Sequence, residues 1–271
     1  MLRVGLSSFT YSWEVGLSTH PHPNRLSATG LVERASELGV GVVQIADNLP
    51  LHELSRPDLE QLSELARSLE VSIEVGTRGI GDKNLDQYLD IAEIVGSPIV
   101  RVVVDNRTDQ PTPSEVIERL RPHATKFTDR KVRLAIENHD RFLVEHLVKI
   151  VTQLGDWTGI CLDTVNSFAA LEPPAMVIEA LAPHAINLHI KDFAVVRADH
   201  HMGFSIEGRP VGGGQLEVAQ LLRTVTTHGD VASGIIELWT PPNDDVVETI
   251  RTESAWALES LTYLRDVHGL A

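Results

Sequence analysis

Three carboxylates and one imidazole recur at regular intervals in the second half of the chain. Asp163 follows Glu137 by 26 residues, His189 follows Asp163 by the same 26, and Glu237 comes 48 residues later. If these groups converged they would repel one another unless a cation lay between them. Oxygen-rich ligands with one histidine favour Mn or Mg, with Co, Fe or Zn as substitutes. The pattern therefore predicts one divalent metal ion held by these four side chains.

Each of these four residues also has an ordinary explanation when it is taken singly. A carboxylate near the end of a strand commonly caps a helix or joins a salt bridge, and a histidine in an apolar strand is usually a core residue. The metal interpretation depends on all four lying at the same end of neighbouring strands.

Eight short apolar runs alternate with eight amphipathic segments, and the last four runs end at or near the candidate ligands. The runs are typical of strands buried on both faces: 2–7, 40–46, 71–75, 99–104, 132–137, 159–163, 185–190 and 233–238. The other segments have helical spacing of apolar residues, with Ser, Asp or Pro near several starts and Gly after several ends: 28–38, 57–69, 84–95, 114–127, 142–154, 174–181, 216–227 and 244–267.

This alternation predicts an α/β fold, a single (β/α)8 TIM barrel that spans residues 1–271. Such barrels commonly contain about 250 residues in one domain, and their functional groups gather at the carboxyl ends of the strands. The alternative is an open doubly wound sheet, but no Gly-rich dinucleotide turn follows the first run.

The amino-acid composition and net charge argue against some classes of binding partner. The formal net charge is −15, from 38 acidic and 23 basic residues, so we expect no binding to nucleic acid or to anionic membranes. No apolar run reaches the length of a membrane span, and the first residues do not form a secretory signal. Cys161 is the only cysteine, which fits a reducing compartment, and we expect a cytoplasmic protein.

The sequence resembles the xylose-isomerase-like TIM barrel superfamily, which contains sugar isomerases and epimerases and the related apurinic endonucleases. The resemblance is carried by five segments: RLAIENHDRF (133–142), GICLDTVNS (159–167), INLHIKDF (186–193), EGRPVGGGQL (207–216) and GIIELW (234–239). It implies the same metal ligands: Glu137, Asp163, His189 and Glu237. It also implies that Glu137 and Glu237 are catalytic, each serving as ligand and proton carrier.

The resemblance implies a metal-dependent isomerase or epimerase that converts a small keto-sugar or sugar acid through an enediolate. A lyase with the same metal ligands, a dehydratase or decarboxylase of a keto-sugar acid or inosose, is the alternative. A carbohydrate sensor without turnover is a third interpretation. Relatives commonly form dimers or tetramers, so a homo-oligomer is expected. Epimerases often carry a histidine at the position of Asn166, which leaves the substrate open.

Further residues are predicted to bind the substrate or to lie at the rim of the barrel. The predicted substrate-binding residues are His139, Asn166, Lys191, Arg197, Arg209 and Trp13. For each of them a cap, a surface ion pair or core packing is the alternative. The long loop 193–214 ends in three glycines, 212–214, whose backbone N–H groups would suit an anion. Asp47 and Glu74 are predicted rim groups. His20 and His22 are predicted loop residues, with a lid over the site as the alternative.

Overall fold

A computed structural model describes residues 2–17, 19–20 and 23–270, so that His22 lies outside the described residues. Ten strands occur in this part of the chain: Arg3–Ser7 (β1), Val42–Ile45 (β2), Ser72–Arg78 (β3), Ile99–Val103 (β4), Arg133–Glu137 (β5), Thr158–Asp163 (β6), Ala185–Ile190 (β7), Asp192–Arg197 (β8), Phe204–Arg209 (β9) and Ser233–Ile236 (β10).

The α-helices within the described ranges pack around these strands. They are Ser12–Val15 (α1), Ala28–Glu37 (α2), Arg56–Ser68 (α3), Asp82–Val95 (α4), Pro113–Leu120 (α5), Ala124–Arg130 (α6), Val144–Leu154 (α7), Pro174–Leu181 (α8), Val218–His228 (α9) and Val246–His268 (α10). Side-chain caps fix several starts. Ser55 and Asp58 form a capping box at α3, as Thr112 and Glu115 do at α5, which satisfies backbone N–H groups at the first turn.

Eight parallel strands close into a barrel in the order β1-β10-β7-β6-β5-β4-β3-β2. This topology confirms the predicted (β/α)8 TIM barrel. The pairing register sets neighbouring strand ends level, because Asp163 on β6 lies opposite His189 on β7. In the same way Glu137 at the end of β5 lies opposite Cys161 on β6. Parallel register therefore places Asp163 directly beside His189, 26 positions later, whereas Glu137 is paired with a residue 24 positions later.

The segment 193–214, predicted as a long loop, instead contains an antiparallel hairpin. Strands β8 and β9 pair over their whole length, with Val195 opposite Ile206 and Arg197 opposite Phe204. The alternating pattern of these strands is that of a ribbon with two different faces. Val195, Phe204 and Ile206 are all exposed on one face, so the hairpin projects from the barrel.

A second difference lies in the predicted helix 114–127. It is divided into α5 and α6 by a 3-10 turn at Arg121–His123, where Pro122 lacks the N–H that would continue the α-helical bonding.

The long carboxyl-terminal helix contacts the first turn of helix after β1. Glu253 on α10 is buried and accepts hydrogen bonds from the backbone N–H groups of Trp13 (3.1 Å) and Glu14 (3.3 Å). Burial raises the pKa of Glu253 to about 8. This contact fixes the segment that follows β1 against α10.

Across the described ranges, we find no helix with both the length and the apolar character that crossing a bilayer requires.

Candidate metal centre

The four predicted ligands meet at the carboxyl end of the barrel. Nδ1 of His189 lies 3.4 Å from Oε2 of Glu237, 3.7 Å from Oε2 of Glu137 and 3.7 Å from Oδ2 of Asp163. All four side chains are buried. Three of them, Asp163, His189 and Glu237, have donor atoms within 4.8 Å of one another, as a shared ion would require.

Each of these residues has one atom that is anchored and one that points to the common centre. Asn166 Nδ2 donates to Glu137 Oε1 (2.7 Å), and Ser7 Oγ donates to Glu237 Oε1 (3.0 Å). The backbone N–H groups of Val165 and Asn166 donate to Asp163 Oδ1, each at 2.9 Å.

The four centre-facing atoms are Glu137 Oε2, Asp163 Oδ2, His189 Nδ1 and Glu237 Oε2, and all four are buried. The three oxygens contact buried cationic side chains, whereas His189 Nδ1 has no hydrogen-bond partner among the described residues. Buried polar atoms are rarely left unpaired, and those that are often indicate an ion or a water. Three anionic oxygens and one imidazole nitrogen are donors that a divalent cation accepts. The residues therefore fit a metal ion.

Two buried cations lie against the carboxylates. Lys191 Nζ is 2.7 Å from Asp163 Oδ2 and 2.8 Å from Glu237 Oε2. On the other side, Arg101 on β4 forms an ion pair through Nε with Glu137, and its Nη1 lies 2.9 Å from Asp47 Oδ1. These cations partly balance three acidic groups in a region with little solvent.

The electrostatics keep the cluster charged. Burial opposes ionisation of Asp163, but Lys191 and His189 hold its pKa below the usual range. Burial also opposes the charge of Lys191, yet Asp163 and Glu237 raise its pKa above the ordinary value. The pKa of Glu237 is lowered by His189, Lys191 and Arg101 in spite of its burial. Carboxylates in their ionised form are the form that binds a metal.

Glu74, predicted at the rim, lies instead inside the barrel beneath the cluster. Its Oε2 accepts hydrogen bonds from Gln44 Nε2 (3.1 Å) and Asn187 Nδ2 (3.0 Å), and Ser233 Oγ contacts its Oε1. Burial raises the pKa of Glu74. The position differs from the prediction because Glu74 is the third of the seven residues of β3, four residues before the end of the strand, and its side chain points to the barrel axis.

A cavity of about 240 Å³ opens directly above the cluster. It is lined by Phe9, Ser12, Arg78, Arg101, Glu137, His139, Asn166, Lys191, Glu237, Leu238 and Trp239. The lining combines two carboxylates, three cations and two aromatic rings. Its volume suits a small polar molecule.

Three of the predicted substrate-binding residues line this cavity: His139, Asn166 and Lys191. His139 Nδ1 also lies 2.9 Å from Asp140 Oδ2. The other three lie elsewhere in the described structure. Arg197 stacks over Phe204 on the projecting hairpin, with the guanidinium carbon 4.4 Å from the ring centroid.

Arg209 and Trp13 are both engaged by neighbouring protein groups. Arg209 pairs with Glu207 on the same strand at 2.9 Å. Trp13 is buried, and its Nε1 donates to the carbonyl oxygen of Thr240 at 2.9 Å. Of the aromatic rings near β1 and β10, Phe9 and Trp239 are the ones that face the cavity.

The glycine run does not present the free N–H groups that its sequence suggests. Asp192 Oδ2 accepts from the backbone of Gly212 (2.9 Å) and Gly214 (3.1 Å), while its Oδ1 accepts from Leu216 (2.9 Å). A buried carboxylate of the chain itself thus occupies the position predicted for an anion.

Sequence reasoning missed Arg101, Arg78 and Gln44. Gln44 and Arg101 stand inside apolar runs and Arg78 comes three residues after one, and a single polar residue at such a position has no spacing that distinguishes it. Asp47, predicted at the rim, does lie there and bridges both arginines, with Arg78 Nε at 2.9 Å from its Oδ2. The sequence also did not indicate that Cys161 lies near the centre. Its sulfur and the ligand atoms of Glu137 and His189 lie within 4.8 Å of one another.

The barrel and its four convergent donors define a class that comparisons with known proteins identify. The model of the xylose isomerase-like TIM barrel family matches residues 32–267. The chain is 33% identical over 264 residues to the 3-oxo-isoapionate decarboxylase of Pectobacterium atrosepticum. The aligned region covers 97% of this chain and 95% of that protein. The chain therefore belongs to the xylose isomerase-like TIM barrel family.

Solved structures share the fold at low identity. D-psicose 3-epimerase with D-tagatose from Clostridium cellulolyticum H10 has a TM-score of 0.71 at 14% identity, covering 97% of this chain and 98% of that one. A xylose isomerase-like TIM barrel protein from Mycobacterium smegmatis in complex with magnesium has a TM-score of 0.67 at 16% identity, covering 96% of each chain. Two of these similar proteins are enzymes, a decarboxylase and an epimerase.

Proposed function

We propose that this chain is a divalent-metal-dependent lyase that removes CO2 from a small 3-oxo sugar acid. This is the second of the two activities that the sequence predicts. The observation that carries the proposal is the charge of the cavity, where Arg78, Arg101 and Lys191 lie beside the candidate ligand atoms. A substrate carboxylate pairs well with such cations, whereas a neutral keto-sugar does not. The 33% identity to a 3-oxo-isoapionate decarboxylase over 97% of the chain supports the same class.

The residues proposed to hold the metal are Glu137, Asp163, His189 and Glu237. Their three oxygens and one nitrogen favour Mg or Mn. When bound there, a divalent ion would polarise the keto oxygen of the substrate as a Lewis acid.

Arg101 is proposed to bind the substrate carboxylate. Its Nε contacts Glu137 and its Nη1 contacts Asp47. Arg101 lines the cavity, and we assign its Nη2, which has no hydrogen bond or ion pair among the described residues, to the substrate. Arg78 is held by the same Asp47. The two guanidinium groups are therefore fixed before the substrate arrives, which reduces the entropy lost on binding.

Decarboxylation breaks the bond between the carboxyl carbon and C2, and the electron pair left on C2 spreads to the 3-oxygen as an enolate. CO2 leaves, and a proton then adds to C2. Lys191 carries its proton 2.8 Å from Glu237 Oε2 at the cavity wall, and we assign protonation of C2 to this pair. The ammonium group also stabilises negative charge on the 3-oxygen.

An isomerase or epimerase is the second candidate. The observation that favours it is that Glu137 and Glu237 both line the cavity, so two carboxylates flank one substrate position. Proton transfer on either face of a carbon needs two such groups.

Reactions carried out in D2O distinguish the proposed decarboxylase from the isomerase or epimerase, because the two activities give different products. We expect metal-loaded protein, incubated with a panel of 3-oxo sugar acids, to release one CO2 per substrate and to leave one deuterium in the product. Arg101→Met should lower kcat/KM by about 10–100-fold, as expected for loss of a charged hydrogen bond. Arg56→Met, at a surface ion pair with Glu60, is the control. Deuterium exchanged into recovered substrate without CO2 release would identify an epimerase or isomerase instead.

A further inference from the structure

The side of the His189 ring opposite the candidate metal centre contacts a buried amide. Nε2 of His189 lies 2.7 Å from Oε1 of Gln44, which comes from β2 across the barrel. Both residues are completely buried. Because one ring nitrogen faces Gln44 and the other faces three carboxylates, the partner of Nε2 decides which nitrogen carries the proton.

The orientation of the Gln44 amide is fixed by its other contacts. Its Nε2 donates to Glu74 Oε2 (3.1 Å) and to Asn187 Oδ1 (3.0 Å). A reversed amide would place its carbonyl oxygen against these two acceptors, which costs both hydrogen bonds in a buried place. Oε1 of Gln44 is therefore the atom directed at His189.

The Asn187 amide is fixed in turn. Its Nδ2 donates to Glu74 Oε2 (3.0 Å) and to Ser233 Oγ (3.0 Å), and Cys161 Sγ donates to its Oδ1 (3.2 Å). Glu74 Oε2 thus accepts from both amides. A proton on Glu74 would reside on the other oxygen, Oε1, beside Ser233, so both amide orientations hold in either protonation state of Glu74.

We infer that Gln44 is a positioning residue that keeps a proton on Nε2 of His189 and so leaves the lone pair of Nδ1 for the metal ion. An imidazole that could choose either nitrogen would present a protonated, non-binding Nδ1 for part of the time. Groups that orient a metal-binding histidine through its second nitrogen typically change metal affinity by about 10–100-fold when removed. The inference rests on the proposed metal centre but not on the reaction it performs.

The test measures zinc affinity and the state of the ring separately, using ZnCl2 as the probe. Gln44→Met keeps the volume but removes the acceptor, and we expect zinc to bind about 10–100-fold more weakly. Gln44→Glu keeps an acceptor toward Nε2, but its second oxygen faces Glu74 Oε2 and Asn187 Oδ1 and must be protonated to replace the amide donor, so we expect an affinity between those of Gln44→Met and the unmodified protein. Ser97→Ala is the matched control, because it removes buried hydrogen bonds to Val75 and Ile99 on other strands. Circular dichroism confirms that each variant is folded.

Nitrogen-15 spectra of the zinc-loaded protein, with His189→Asn to assign the signals, report the ring directly. We expect Nδ1 of His189 to be metal-bound and Nε2 to carry a hydrogen-bonded proton that shifts upfield in Gln44→Met. Zinc found on Nε2, or unchanged affinity and proton shift in Gln44→Met, would overturn the inference. Equal weakening by Ser97→Ala would do the same. Absence of zinc binding by the unmodified protein would overturn the metal centre as well.

Discussion

Removing the Arg101 side chain should destabilise the protein strongly, and the structure gives the size of the effect. Arg101 is 2% exposed and forms ion pairs with Glu137, which is 1% exposed, and with Asp47. Breaking a buried pair by deleting one partner typically costs about 3–5 kcal/mol, because the remaining charge is left without compensation. Total stabilities are about 5–15 kcal/mol, so Arg101→Met should lose a large fraction.

The measurement is urea unfolding followed by circular dichroism in the presence of EDTA. Arg101→Lys keeps the charge, but one ammonium group cannot reproduce the fork that contacts both Asp47 and Glu137, and we expect an intermediate loss. Arg56→Met is the matched control. Its partner is Glu60 one helical turn away and both side chains are largely exposed, so the loss should be less than about 0.5 kcal/mol.

Adding a divalent metal ion provides a second test of this prediction. Adding MgCl2 or MnCl2 should recover more stability in Arg101→Met than in the unmodified protein, since a bound cation would compensate the charge of Glu137. A loss below about 1 kcal/mol in EDTA for Arg101→Met, indistinguishable from the surface control, would refute the electrostatic reasoning.

Two further predictions concern the supporting structure. Because burial raises the folded-state pKa of Glu253 to about 8 from an ordinary value of 4.5, the folded protein holds more protons than the unfolded chain between these values. The free energy of unfolding should therefore fall as pH rises through this window, by up to about 1.4 kcal/mol per pH unit. In urea titrations at several pH values, Glu253→Gln should flatten this dependence, whereas the exposed control Glu259→Gln should not. Gly208→Ala would place its Cβ 2.3 Å from the carbonyl oxygen of Trp239, and we expect a loss of about 1–3 kcal/mol in thermal unfolding. Gly81→Ala, where no atom lies within 4 Å of the added carbon, should change the midpoint little, and equal effects of the two substitutions would contradict the packing argument.

The barrel was predictable because its strands are short, apolar and evenly interrupted. Buried parallel strands need apolar residues on both faces, and this requirement leaves a clear trace in runs such as 99–104 and 185–190. The four candidate ligands could be predicted for the same reason, since each lies at the end of such a run or one residue before it, and the ends of parallel strands lie at the same edge of the barrel.

The supporting groups were not predictable. Arg101 and Gln44 are single polar residues within apolar strands, and their partners lie 36 and 145 residues away. Nothing in one sequence specifies which interior side chains meet across a barrel. The hairpin shows the converse difficulty: it carries Arg197 away from the cavity, although the position of the loop suggested a functional role.

The candidate ligands and the residues that support them come from different halves of the chain, and this affects how the centre can assemble. The four donors come from residues 137–237, yet Ser7 holds Glu237, Gln44 holds His189 and Arg101 holds Glu137. An isolated carboxyl-terminal half-barrel would contain the four candidate ligands without the residues that orient them. An isolated amino-terminal half would contain Ser7, Gln44 and Arg101 without the ligand side chains that they contact. A gene split between β4 and β5 should thus give two fragments that regain a finished centre only on reassociation.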